Sequence, residues 1–214
     1  MLYEELKGRN FEIVSVAEDT GGARDAGQWI TAAKPTFTAL IDATHRVTRL
    51  YDLVNVPTGI WIDERGRMVR PPEVAFVDDR FKPFHGLEAA PYVAAVRDWA
   101  EKGEKSAYVV AEEEMKRRLA PQNPEWARAA AEFALGEELY RTGHGPEAIP
   151  HFKEAQRLNP ESWNYKRQAW ALSDAKRDYG TTFGDEVKKL AGKPYYAPRS
   201  LPPSAPAPAA TPRP

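Results

Sequence analysis

The chain has 214 residues, 42% of them hydrophobic and 29% charged, an ordinary balance for one large or two small globular domains. Thirty basic residues face 31 acidic ones for a formal charge of −1, which leaves no electrostatic footprint for a nucleic acid, and no apolar run approaches the length of a membrane-spanning helix. There is no cysteine, so this chain's own residues supply no disulfide, no thiolate nucleophile and no cysteine-ligated metal.

From the start to about residue 104, short apolar runs alternate with helical stretches, the texture of an α/β domain. The pattern predicts a helix over Leu2 to Lys7, a buried strand over Phe11 to Val16, a helix over Ala23 to Ala32, a short strand over Thr36 to Leu40 and a helix over Val47 to Leu53. Gly59 to Ile62 and Met68 to Val69 read as a hairpin around Asp63-Glu64-Arg65-Gly66, because Gly66 supplies the positive φ that such turns need. Residues 71–86, with Pro71, Pro72 and Pro83, read as irregular. Leu87 to Lys102 then reads as an amphipathic helix with Val93, Val96, Trp99 and Ala100 on one face.

Several of these stretches, in order, resemble redoxins of the thioredoxin-like TlpA/ResA and alkyl hydroperoxide reductase/thiol-specific antioxidant type. Phe11 to Asp19 resembles their strand that ends in an acidic loop, and Gln28-Trp29-Ile30 through Phe37 to Asp42 resembles their next helix and strand. Val47 to Pro57, followed by Thr58 to Ile62, resembles their helix and cis-proline strand. The resemblance covers roughly residues 2 to 70. It implies a cis Val56-Pro57 bond, which only an X-Pro bond adopts at low cost. It also implies that Val56, Pro57 and Thr58 form the loop on which an extended substrate segment pairs.

The chain departs from that family where the chemistry sits. Members carry, ahead of the helix matched by Leu2 to Lys7, a strand and a Cys-x-x-Cys whose lowered thiol pKa drives thiol–disulfide exchange. The expected fold is therefore a thioredoxin-like α/β domain, N-terminally incomplete, over residues 1–104. In the family's sheet the missing strand lies between those formed here by Glu12 to Val16 and Gly59 to Ile62. Both are apolar enough to predict burial on two faces, so two open edges and self-association are expected. Two readings stand open: a degenerate, non-catalytic domain, or the downstream part of a longer protein whose nucleophile is a cysteine or a selenocysteine at a codon read as stop.

Beyond residue 105 the chain becomes helical, with a predicted helix over Ser106 to Leu119. Leu135, Gly136, Leu139, Gly143, Ala148, Phe152, Ala155 and Pro160 resemble one tetratricopeptide (TPR) repeat, of period about 34 residues. Small residues let two antiparallel helices approach, Leu139 and Phe152 fill the groove, Gly143 turns the chain and Pro160 stops the second helix. A further helix follows from Ser162 through Leu172. One repeat cannot bury its own apolar face, so it must pack on Trp163 and Trp170, on the helix before it, on the α/β domain or on another chain. Residues 105–193 thus form an all-α, TPR-like region whose resemblance implies protein or peptide partners. Residues 194–214, dense in Pro, Ala and Ser, predict a disordered tail.

Other candidate sites are weaker. His45, His85, His144 and His151 have no i, i+3 or i, i+4 spacing, so no metal is expected. Asp63 and Glu64 are read as turn-stabilising residues, Trp61 as core, and Gly21-Gly22 as a joint without a phosphate-loop fingerprint. No cofactor, nucleic acid or membrane is expected. With neither a signal core nor a spanning segment, a cytoplasmic location is the default expectation. The functional expectation is a redoxin-family protein, ancestrally a thiol-disulfide oxidoreductase or peroxide reductase, inactive without a cysteine; the alternative is a non-enzymatic interaction scaffold built on the TPR-like helices.

Overall fold

A computed structural model describes residues 2–120, 123–197 and 199–200. Helix α1 (Leu2–Leu6) is followed by strand β1 (Val14–Glu18), helix α2 (Ala23–Ala33), strand β2 (Thr38–Asp42) and the short helix α3 (Arg46–Leu50). β1 and β2 pair in parallel, Val14 opposite Thr38 through Glu18 opposite Asp42. Both strands begin two or three residues later than the hydrophobic runs predict. Phe11 is instead drawn edge-on against Trp99, and the Thr36 hydroxyl is drawn to Glu4 on α1.

Strands β3 (Thr58–Ile62) and β4 (Met68–Val74) form the antiparallel hairpin, which is irregular around Trp61. Asp63 organises its turn by accepting from the backbone N–H groups of Arg65 (3.1 Å) and Arg67 (2.8 Å) and from the Arg67 guanidinium. β4 extends through Pro71 and Pro72, where irregular chain was expected. Prolines are tolerated in a strand that needs few ladder donors on one side. Beyond it lie α4 (Lys82–His85) and α5 (Ala89–Lys102), which puts Tyr92, Ala95 and Val96 into a core with Leu6, Trp61 and Val69. Gly59 has a packing reason to be glycine, since a Cβ there would collide with the Tyr92 hydroxyl.

The two strand pairs remain two separate sheets among the described residues. Their faces are not doubly buried: Val14 is 55% exposed, Leu40 49% and Ile62 44%. This corrects the expectation of strands covered on both sides. The nearby helices are few, so each strand keeps an open face.

The helical part comprises α6 (Glu112–Leu119), α7 (Glu125–Arg141), α8 (Gly145–Leu158), α9 (Trp163–Ala171), α10 (Ala175–Tyr179) and α11 (Phe183–Lys189). The helix predicted from Ser106 starts only at Glu112, because residues 106–111 run beside β4 and the Val110 N–H donates to the Val69 carbonyl (2.9 Å). α7 and α8 form the hairpin expected of the repeat. Ala129, Phe133 and Gly136, at i, i+4 and i+7, face Ala148, Phe152 and Ala155, and Tyr165 and Ala169 of α9 close the cluster. Gly136 is required by close approach: a methyl group there would lie 2.7 Å from Phe152 Cε1. Gly143 turns the chain at φ +88°, Leu139 packs at the cluster's edge, and α8 ends at Leu158, two residues before Pro160. Leu135 is a correction. It is 45% exposed, because it lies outside the face that Phe133 and Gly136 turn to α8.

The repeat's remaining surface packs on the α/β part of the same chain. The N–H groups of Trp163 and Asn164 both donate to the Val54 carbonyl (2.7 and 3.2 Å), and Asn164 Nδ2 donates to the Leu53 carbonyl (2.8 Å). A third core joins Val74 and Phe76 to Trp163, Trp170, Tyr195 and Tyr196. Tyr195 and Tyr196 were expected in a disordered tail but are 7% and 9% exposed. Adjacent aromatic residues inside a proline-rich segment bury enough apolar area to offset the entropy of ordering it. The expectation of disorder over residues 201–214 lies outside the described residues.

Candidate functional site

The Val56–Pro57 peptide bond is cis, and the loop that carries it opens onto a cleft of about 560 Å³ between the two parts of the chain. Glu18, Asp19, His45 and Val56 line it on one side, and Asn164, Arg167, Trp170 and Phe183 on the other. Thr58 does not face a ligand through its hydroxyl, which donates to the Asn55 carbonyl (2.6 Å) and ties the loop to itself. The Pro57 carbonyl accepts from the Ala75 N–H (3.2 Å), continuing the hairpin pairing past Thr58.

Both backbone polar groups of Val56 are used within the chain. Its N–H donates to Asn55 Oδ1 (2.9 Å), and its carbonyl accepts from the Tyr196 hydroxyl (3.0 Å). Asn55 is itself held by residue 195, since its Nδ2 donates to the Tyr195 carbonyl (3.4 Å) and its Oδ1 accepts from the Tyr195 hydroxyl (3.2 Å). Tyr195 stands edge-on to Trp163 with ring centroids 4.5 Å apart, and Tyr196 edge-on to Phe76 at 5.4 Å. Further along, Arg199 donates to the carbonyls of Val74 (3.1 Å) and Glu88 (2.5 Å). The Ser200 N–H donates to Glu73 (3.0 Å), whose carboxylate also pairs with the buried Arg70 (2.6 Å). Tyr195 and Tyr196 are thus laid across the cis-proline loop, and Arg199 and Ser200 across the end of β4.

Beneath the cleft is a buried polar cluster of Glu18, Thr20, His45 and Glu137. Asp42, ending β2, accepts from the N–H groups of Thr44 (3.1 Å) and Val47 (2.8 Å), which fixes the turn into α3 and holds His45 at φ 49°. His45 is 1% exposed. Its Nδ1 lies 3.1 Å from Glu18 Oε2, in ion-pair range but outside hydrogen-bond geometry, and its Nε2 lies 3.1 Å from Thr20 Oγ1. Thr20 Oγ1 also donates to Glu137 Oε1 on α7 (3.3 Å), and Arg49 reaches the other oxygen of Glu137 (3.3 Å). Burial pushes the Glu137 carboxyl up to about 7, against the pull of His45, Arg49 and Thr20. The signal that could have found this cluster is a lone glutamate on the otherwise apolar side of α7.

Thr20, His45 and Glu18 stand in the order of a hydroxyl nucleophile, base and orienting acid, but the surroundings oppose that use. Thr20 is buried and shares its hydroxyl with Glu137, and the nearest backbone donors that could stabilise an oxyanion, the N–H groups of Gly21 and Gly22, are already bonded to Asp19 (both 2.8 Å). The cluster is a polar tie between β1, α3 and α7.

Of the other histidines, His85 stacks on Phe76 (4.0 Å), His144 bonds Thr142 and His151 bonds Glu132 (2.8 Å). Among the described residues, no group of three or more His, Cys, Asp or Glu is placed to hold a metal ion, and no helix is long and apolar enough to cross a membrane. No protein-family model, no curated protein and no solved structure matches the chain.

Proposed function

We propose that the chain is a thioredoxin-like redoxin-type domain without its redox nucleophile, joined to a TPR-like hairpin, and that it works as a docking module for extended peptide segments. The single observation that carries this reading is that Tyr195 and Tyr196 lie across the Val56–Pro57 loop, with the Val56 carbonyl bonded to the Tyr196 hydroxyl. A loop that holds one extended segment through a backbone carbonyl, an asparagine and flanking aromatic rings has the chemistry to hold another, since backbone hydrogen bonds supply affinity and side-chain pockets supply preference. The absence of cysteine in the sequence removes thiol chemistry by this chain's own residues. Purified protein should accordingly show no insulin-disulfide reduction and no thiol-dependent peroxidase turnover.

The direct test uses a fluorescent peptide with the sequence of residues 193–200 and the full chain. Wild type, whose loop is filled in cis, should bind it weakly. Tyr195→Ala/Tyr196→Ala and the milder Tyr196→Phe should bind about tenfold or more tightly, because a smaller share of molecules is self-occupied. Hydrogen exchange should then protect residues 54–58 when peptide is added. Equal affinity for all three proteins, or protection elsewhere, overturns the reading.

A further inference from the structure

The turn that leads into Tyr195 holds an unfavourable residue for its backbone. α11 ends at Lys189, and residues 190–193 form a turn closed by the Lys193 N–H on the Leu190 carbonyl (2.9 Å). Both central residues have positive φ, Ala191 at 49° and Gly192 at 88°. Such a turn suits glycine, asparagine or aspartate, whereas the Cβ of an alanine crowds the following carbonyl oxygen. Ala191 is exposed, so burial of its methyl group does not account for the conformation.

Beyond this turn the chain is held by discrete anchors on distant parts of the sequence. Tyr195 and Tyr196 bond to Asn55 and Val56, Arg199 to the Val74 carbonyl and Ser200 to Glu73. The same bonds form if the arm after residue 193 comes from a second copy, and the local difference is that the turn opens. Within one chain the short connection favours docking in cis when the protein is dilute. Two molecules that exchange arms keep every anchor, and each releases the strain at Ala191. The surface beside the anchors is apolar and open: Phe81 is 55% exposed, Phe84 49% and Phe183 38%. Phe84 lies against both Tyr195 (5.5 Å) and Phe183 (6.2 Å), and Phe81 lies against Phe76 (6.4 Å). A second copy brought up by an exchanged arm has these rings to cover.

We infer that two copies of this chain exchange the arm that follows residue 193, so that Tyr195 and Tyr196 of each copy fill the Asn55–Pro57 loop of the other and the rings of Phe81, Phe84 and Phe183 are covered around a two-fold axis. This exchange rests on the peptide-docking reading, since the loop must accept the segment from another chain.

The test is sedimentation velocity of the full chain over a range of concentrations, with the closing turn altered. Ala191→Pro cannot adopt a positive φ. Gly192→Ala adds strain without touching a neighbour, since no atom lies within 4 Å of a Cβ built there. Each should raise the dimerisation constant about tenfold or more, two turns being opened per dimer, and Ala191→Gly should lower it about tenfold. Ala191→Pro also removes the N–H that donates to the Lys188 carbonyl (3.1 Å), so Gly192→Ala, which removes no donor, remains informative if α11 is perturbed. Adding Tyr195→Ala/Tyr196→Ala should abolish the gain, whereas association through open strands would not respond to any of these positions. The chain has no cysteine of its own, so Ala197→Cys takes a single spin label. Spin-labelled and isotope-labelled Gly192→Ala chains are mixed dilute and then concentrated, and the label should broaden the amide resonances of residues 54–58 in the isotope-labelled chain. Dimerisation unchanged in both turn variants, a gain that survives loss of the tyrosines, or a dimer without that broadening overturns the exchange. Peptide binding by a chain that stays monomeric in both turn variants overturns the exchange and leaves the docking reading standing. A broadened dimer that ignores free peptide supports the exchange and removes the docking reading.

Discussion

The two parts of this chain solve the burial problem differently. In the helical part, Ala129, Phe133, Ala148, Phe152 and Ala155 are at most 2% exposed, and all come from two consecutive helices joined by a short turn. In the α/β part, the strands form two separate pairs, and Val14, Leu40 and Ile62 remain about half exposed. Helices satisfy their backbone hydrogen bonds internally and need only side-chain partners, whereas a strand needs backbone partners on both edges. A hairpin of helices can complete its core from local sequence. A sheet cannot.

The largest expected effect probes the better-packed side. Phe133→Ala removes a fully buried ring that stacks on Tyr165 (4.5 Å) and should cost about 3–5 kcal/mol in urea denaturation followed by circular dichroism. A cost below about 1 kcal/mol, the level of a typical substitution, would erase the contrast between the two parts.

Next comes the tie between them. Folded chains hold the Glu137 proton up to about pH 7 and unfolded chains release it near 4.5, so the folded state binds more protons in between. Stability should therefore fall as pH rises from about 4.5 to 7, by on the order of 1–3 kcal/mol from this group, and level off above. Glu137→Gln keeps an acceptor for Thr20 and should flatten that component. Denaturation curves at several pH values decide it, and an unchanged slope in the variant means that Glu137 is not the titrating group.

Gly136→Ala sharpens the point about local packing. Helix propensity alone favours alanine by about 1 kcal/mol. The contact with the Phe152 ring should reverse the sign and leave a net loss of about 1–3 kcal/mol. A stabilised variant would show that α7 and α8 can separate without penalty.

The smallest effect on stability belongs to the open strands. Val14→Thr and Leu40→Thr should each change stability by no more than about 0.5 kcal/mol, as at other exposed positions. Yet the exposed apolar faces and unpaired edges should drive wild-type chains to associate, so sedimentation velocity should report less association in the double variant. A wild type that stays monomeric at high concentration would remove open edges as a property of this fold.

Legibility in the sequence followed the range of the interactions. Gly136, Phe152, Ala148 and Ala155 were readable as a helical hairpin because their partners lie within one repeat, and Asp63 was readable as a turn residue because it bonds residues two and four positions away. Leu135 was misplaced because a one-residue shift on a helix turns a side chain by roughly 100° out of the packed face. The burial of His45 between Glu18 and Glu137 could not be read, since those carboxylates lie 27 residues before and 92 residues after it and only packing brings them together.

By itself the sequence determined the order of the elements, the helical hairpin, the turn chemistry and the lack of thiol chemistry, all of which depend on composition or on neighbours along the chain. Only the tertiary structure decided that the strands stay in two pairs and that Glu137 ties α7 to Thr20, in the loop after β1, and to Arg49 on α3. It alone also decided that Tyr195 and Tyr196 leave a proline-rich tail to lie across the Val56–Pro57 loop. That last outcome rests on contacts spanning 140 residues, where burial of a few aromatic rings outweighs the local preference of the chain for disorder.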